Sequence, residues 1–214
     1  MYRAVLFDLD GTLTDTLSDI ACAMNHALRL HGLPEWDEQD YRYLVGNGAW
    51  ILAQRCVRER QELAEAVRRD YQAYYETHNL VRTRPYEGVP EMLEALHRRG
   101  IVLAVLSNKP DQDTKAVVRH FFPQIPFSVV RGQVEGVPVK PDPSGALAVA
   151  AQLGIEPGAW LYLGDTAVDM TCARAAGMHP VGALWGFRTE EELRQNGAEH
   201  LIAAPGELLP ITCV

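Results

Sequence analysis

The chain has 214 residues, 47% of them hydrophobic and 22% charged, with a formal net charge of −8. That length suits one α/β domain or a domain carrying an insertion, and a chain of this size buries roughly 70% of its unfolded surface. The acidic balance gives no basic footprint for nucleic acid, and local cations must overcome the overall field if the ligand is a phosphate.

Cys22, Cys56, Cys172 and Cys213 form no CxxC pair, which argues against a zinc or redox motif and predicts buried free thiols. The first apolar run meets a carboxylate too soon to be a signal peptide, and no run approaches the ~18 apolar residues of a spanning helix. The expectation is a soluble protein of the reducing cytoplasm, with no membrane or nucleic-acid partner.

In chain order, residues 4–7 are a short apolar run with a β-branched and an aromatic member, stopped by Asp8, Asp10 and Gly11. It reads as a buried strand ending in a loop. Ligands of open α/β sheets bind at the carboxyl ends of strands, so Asp8 and Asp10 stand at the mouth of such a crevice. Two residues apart on an extended chain, they share a face and repel unless a cation or proton intervenes, which points to a hard ion, most simply Mg²⁺. Taken alone, the stretch is equally an Asp-rich turn.

Leu17, Ile20, Ala21, Met24, Ala27 and Leu28 recur at helical spacing, with Thr16 as a cap and Gly32 and Pro34 as a stop. Residues 48–57 and 62–78 are helical in pattern, and no strand is predicted from 16 to 81. The row Tyr71, Tyr74, Tyr75, His78 reads as core packing, and the mixed charges of Glu62, Glu65, Arg68, Arg69 and Asp70 as a solvated face. The division that results is a core of 1–15 and 83–214 with an all-helical insertion at 16–82.

Beyond the insertion, strand and helix alternate: helix 89–99, strand 101–106, helix 111–122, strand 127–130, a helix opening at Asp142 and Pro143 and closing at Gly154, strand 159–163, a small-residue helix to Ala176, and strands 180–184 and 201–203. Alternation of this kind implies right-handed crossovers and a doubly wound, Rossmann-like parallel sheet.

The strand ends then deliver Asp8 and Asp10, Ser107 and Asn108, and Asp165 and Asp169, with Lys140 before a helix between them. If a helical turn begins at 165, its spacing places Asp165 and Asp169 on one face. Four acids in one crevice need a divalent cation, and a phosphate dianion bridged to it can be held by Lys140 and the Ser107 hydroxyl. Asp8 is placed to attack phosphorus, and Asp10 to protonate the leaving alkoxide and then deprotonate water.

The motifs Asp8-Leu9-Asp10-Gly11-Thr12-Leu13, Leu106-Ser107-Asn108, Lys140-Pro141-Asp142-Pro143 and Gly164-Asp165 followed by Asp169 resemble, in order, the four motifs of the haloacid dehalogenase superfamily. The resemblance implies Asp8 as nucleophile, Asp10 as acid and base, and Ser107, Asn108 and Lys140 as phosphate binders. It also implies a Mg²⁺ site of Asp8, the Asp10 carbonyl and Asp165, with Asp169 acting directly or through water. The insertion resembles the cap of one branch of that superfamily, and Gly46, Asn47 and Gly48 the cap loop of bacterial phosphoglycolate phosphatases, where helix-start amides can hold a carboxylate. Arg42 and Arg55 are candidate anion binders, and Asn108, Lys109 and the stretch 185–188 candidate pocket walls. His26, His97, His120, His179 and His200 show no ligand spacing.

The expected function is Mg²⁺-dependent hydrolysis of a small phosphorylated metabolite, 2-phosphoglycolate first, by a monomer or homodimer. The alternatives are a sugar-phosphate mutase resembling β-phosphoglucomutase, a pyrophosphatase or a nucleotidase and, from another class, a non-catalytic binding module.

Overall fold

The computed structural model describes residues 2–213. In chain order its elements are β1 (Ala4–Phe7), β2 (Thr14–Asp15), α1 (Leu17–Leu30), α2 (Tyr41–Leu44), α3 (Gly48–Cys56), α4 (Ala64–His78), β3 (Arg84–Pro85) and α5 (Val89–Arg98). Then come β4 (Val102–Pro110), α6 (Asp111–Phe121), β5 (Val129–Gln133), α7 (Ser144–Leu153) and β6 (Trp160–Gly164). The chain ends with α8 (Ala167–Ala175), β7 (His179–Ala183), α9 (Glu190–Gln195), β8 (His200–Ile202) and α10 (Leu208–Ile211).

The six-stranded sheet runs β5-β4-β1-β6-β7-β8 with every pair parallel. Both of its faces are covered, and the alternation is visible in β1 itself. Val5 and Phe7 pack with Leu103, Val105, Leu161 and Leu163 beneath α5 and α6, whereas Ala4 and Leu6 pack with Ala104, Leu106, Trp160 and Tyr162 beneath α7 and α8. This two-sided burial is what a continuous apolar strand is suited to. Because the chain builds β4 and β5 on one side of β1 and then crosses to β6 on the other, the carboxyl ends of β4, β1 and β6 flank a topological switch point.

The helices between β2 and β3 bury a third apolar cluster of their own, including Leu17, Ile20, Met24, Leu28, Leu52, Val67, Tyr71 and Tyr75. No strand occurs from 16 to 83. Tyr71 and Tyr75 are buried as expected, while Tyr74 stacks between His26 and His78, at 4.1 and 3.9 Å.

Several local expectations differ from the structure. The two-residue strands β2 and β3 pair antiparallel, too short to leave a periodic signal in the sequence. Strand β4 continues past Leu106 to Pro110 across a register irregularity, and β5 begins at Val129 rather than 127. Thr16 does not cap α1 through its side chain; Asp15 Oδ1 accepts from the Leu17 amide instead, at 3.2 Å. Of the four free thiols, Cys56 and Cys172 are buried, but Cys22 and Cys213 are exposed. Among the described residues, no helix is long and apolar enough to cross a membrane.

Candidate active site

Asp8 follows β1, Ser107 and Asn108 lie in the extended end of β4, Lys140 precedes α7, and Asp165 follows β6. All five are buried. Lys140 Nζ donates to Asp8 Oδ1 at 2.6 Å and to Asp169 Oδ1 at 2.7 Å, and one carboxylate oxygen from each of Asp8, Asp165 and Asp169 lies within 4.8 Å of the others.

Asp165 and Asp169 converge differently from the expected shared helix face. Asp165 stands before Thr166, the N-cap of α8, and Asp169 is the third residue of the helix, closing a capping box in which its Oδ2 accepts from the Thr166 amide and hydroxyl at 3.1 and 2.7 Å. The close approach needs Gly164, where a Cβ would stand 2.3 Å from that of Asp169. Asp165 is held by two groups that sequence reasoning did not identify as its partners: the Thr12 hydroxyl at Oδ1, 3.0 Å, and the Phe187 amide at Oδ2, 2.7 Å. Thr12 lies in the first motif and Phe187 in the stretch 185–188 read as a pocket wall, which it is, but neither position pointed to Asp165.

The electrostatics follow from burial. Loss of solvent raises the Asp8 carboxyl well above its ordinary range, and Asp169 and Asp165 add to the rise against the pull of Lys140. Asp165 is pushed up to about 7 by burial and by Asp169. Burial alone would lower the Lys140 ammonium, but Asp169 and Asp8 outweigh it and hold it well above its usual value. Three buried carboxylates thus face one ammonium, a donor set that fits a hard divalent cation with oxygen ligands.

Other residues take places the sequence did not predict. The Asp10 side chain is outside the acidic cluster: both its oxygens accept from Lys109 Nζ, at 2.8 and 2.9 Å, and Lys109 also donates to the Tyr75 hydroxyl at 2.7 Å. The cation expectation concerns the Asp10 carbonyl and is untouched by this pairing, whereas Tyr75, read as core alone, also binds Lys109. Asn108 lines the cavity, but its carboxamide is engaged by main chain, accepting from the Lys140 amide and donating to the carbonyls of Lys140 and Gly46, so it is not free for phosphate. Arg42 and Arg55 are likewise engaged, Arg42 by the carbonyls of Gly186 and Phe187 and Arg55 by the carbonyl of Leu44 and Asn47 Oδ1.

A cavity of about 50 Å³ sits over Asp8, walled by Asp10, Ser107 and Lys109 from the sheet side and by Gly46, Gly48 and Tyr71 from the helices. Asn47 is not part of that wall. The chain from 5 to 183 matches the model of the haloacid dehalogenase-like hydrolases, across all four motifs.

The chain belongs to this family. An N-acetylmuramic acid 6-phosphate phosphatase of Pseudomonas aeruginosa is 33% identical over 98% of this chain and 94% of its own length. A phosphoglycolate phosphatase of Aquifex aeolicus is 32% identical over 98% and 96%. A solved structure from Lactobacillus delbrueckii subsp. bulgaricus superposes with a TM-score of 0.94 at 26% identity, covering 99% of this chain and 98% of that one. In this haloacid dehalogenase-like hydrolase, then, Asp8, Asp165 and Asp169 come together, and Lys140 joins two of them.

Proposed function

We propose that this phosphatase cleaves small phosphomonoesters in two steps through an aspartyl phosphate on Asp8, with Mg²⁺ as its resident cation. The observation that carries the reading is the meeting of Asp8, Asp165 and Asp169 around Lys140 at the switch point of the sheet. Asp8, Asp165 and the Asp10 carbonyl would hold Mg²⁺, with Asp169 beside it; when bound, the ion offsets the charge of the carboxylates and of the phosphate oxygens.

Lys140 and the Ser107 hydroxyl bind the transferring group and orient it in line with Asp8. The free oxygen of Asp8 attacks phosphorus as the ester P–O bond breaks, and the leaving oxygen takes a proton from Asp10, which enters this step as the carboxylic acid with one oxygen released from Lys109. Asp10, now a carboxylate, removes a proton from water as that water's oxygen attacks phosphorus; the bond to Asp8 breaks and inorganic phosphate leaves. Splitting the displacement in this way replaces one hard step with two easier ones. Residues 16–82 act as a cap that shields the site from bulk solvent and sets which ester enters.

For the substrate, 2-phosphoglycolate comes first. The cavity is small, Gly46 and Gly48 line it at the start of α3, and the amides there suit a carboxylate. A larger ester such as N-acetylmuramic acid 6-phosphate is the second reading. A groove of about 930 Å³ between α3, α4 and the start of α6 shares Ala49 and Pro110 with the cavity and could take a longer leaving group. The free thiols suit a reducing cytoplasm.

The test is release of inorganic phosphate from 2-phosphoglycolate, sugar phosphates, pyrophosphate and nucleotides, with Mg²⁺ and with EDTA, by wild type and Asp8→Asn. The reading predicts activity that EDTA and Asp8→Asn each abolish. Undiminished turnover by Asp8→Asn, or turnover confined to pyrophosphate or nucleotides, would overturn it.

A further inference from the structure

The loop after β7 reaches both the acidic cluster and the helical segment. Its Phe187 amide donates to Asp165 Oδ2 at 2.7 Å, and its Trp185 indole donates to the Thr12 carbonyl at 3.0 Å, while the Thr12 hydroxyl binds the other oxygen of Asp165 at 3.0 Å. The Phe187 ring is buried in the apolar cluster formed by α1 to α4, and not in either cluster of the sheet.

Two arginines fasten the same loop to the helical segment in opposite directions. Arg42, on α2, donates to the Gly186 carbonyl at 2.6 Å and the Phe187 carbonyl at 3.4 Å. Arg188, from the loop, donates to the Val45 carbonyl at 2.9 Å and the Tyr43 carbonyl at 3.4 Å, just before Gly46. The fit leaves no slack: a Cβ at Gly186 would stand 2.2 Å from the Cβ of Asp165 and 2.5 Å from the Gly11 carbonyl oxygen. A shift of the Gly186-Phe187 peptide therefore moves a hydrogen bond on Asp165, and seating of α2 fixes that peptide.

We propose that Phe187 is a positioning residue through which the seating of the helical segment at 41–48 and the grip of Asp165 on a divalent cation are coupled. The inference rests on the reading of Asp165 as a cation ligand. A donor that aims a ligating carboxylate is part of the metal site in energetic terms, and loss of such outer partners weakens metal affinity roughly 10- to 100-fold. Coupling between two binding equilibria is reciprocal, so if seating at 41–48 strengthens cation binding, the cation must strengthen seating at 41–48 by the same factor. Arg42 then matters to a cation whose candidate ligands it does not touch.

The test is calorimetric titration of Mg²⁺ into the full-length wild type, Arg42→Met, Arg42→Lys and Asp165→Asn, with hydrogen exchange at 41–48 and 185–188 followed with and without Mg²⁺. Coupling predicts a Kd raised about tenfold in Arg42→Met, with Arg42→Lys between it and wild type because one ammonium can still reach the Gly186 carbonyl. It also predicts that Mg²⁺ slows exchange at 41–48 more than in α6, and that Arg42→Met loses this difference. Both readouts precede turnover, and exchange at α6 reports any general loss of folding in the variant. An unchanged Kd in Arg42→Met with wild-type cation binding would overturn the coupling alone. Absence of Mg²⁺ binding in wild type, or wild-type binding by Asp165→Asn, would overturn the cation reading and the coupling with it.

Discussion

Lys140 carries more of the site than any other single side chain, since its ammonium is shared by Asp8 and Asp169 and is itself buried. Lys140→Met removes the donor aimed at the transferring phosphate and leaves two buried carboxylates to repel each other. By analogy with loss of a transition-state donor, kcat for phosphate release falls by roughly 10²- to 10³-fold or more, measured at saturating Mg²⁺. Asp165 gives a second prediction. Its folded pKa of about 7 lies above the unfolded value near 3.8, so the proton stabilises the folded state. That contribution is fully present below 3.8 and is lost as pH rises towards 7. In EDTA the melting temperature should fall across that window, and Mg²⁺ should flatten the fall by taking the place of the proton; a melting temperature rising with pH in EDTA would refute it. Asp8 and Asp165 were legible because each follows an apolar strand pattern, and Lys140 because it stands before a helix opened by Asp142 and Pro143 in the company of those acids. The bond between Phe187 and Asp165 and that between Lys109 and Asp10 were not, because each joins residues far apart in sequence that only the tertiary fold brings together.

At the scale of elements, α4 ties the helical segment to β4 and to α6. Tyr75 accepts from Lys109, and Gln72 donates to Asp113 on α6 at 2.8 Å. Tyr75→Phe leaves the buried ammonium with Asp10 alone, and loss of a hydrogen bond to a charged group should destabilise the fold by about 1.5 kcal/mol, read from urea denaturation. The loop before α3 is under a tighter constraint. Gly48 has φ +82° and its Cβ position lies 3.2 Å from Gln133 Oε1, so Gly48→Ala strains the backbone just where the cavity closes. We expect kcat/KM for 2-phosphoglycolate to drop about tenfold, with the slow hydrolysis of an aryl phosphate reduced less; equal losses would assign the glycine to folding rather than to the substrate. Element types were readable from periodicity, as in α1 and α4, but the extension of β4 was not: residues 107–110 lack an apolar pattern and rejoin β5 past an irregularity, where Pro110 pairs with Gln133.

Over the whole molecule, the parallel sheet explains why residues from the first and last thirds of the chain meet. Strand β1 lies between β4 and β6, so the ends of three strands open into one crevice. An overall charge of −8 disfavours phosphate in general, and the buried Lys140 supplies the local positive charge in the crevice. The architecture was legible from alternation alone. The mutual seating of sheet and helices was not, because Arg42, Arg188, Tyr75 and Gln72 meet partners far away in sequence, several of them main-chain carbonyls that any sequence presents. The central claim, a phosphoryl group carried on Asp8, is tested most directly by acid-quenching the enzyme during turnover with Mg²⁺ and mapping the phosphorylated residue by mass spectrometry. The account predicts phosphate on Asp8 in wild type and none in Asp8→Asn; a turning-over enzyme with no phosphorylated residue, or one phosphorylated elsewhere, would contradict it.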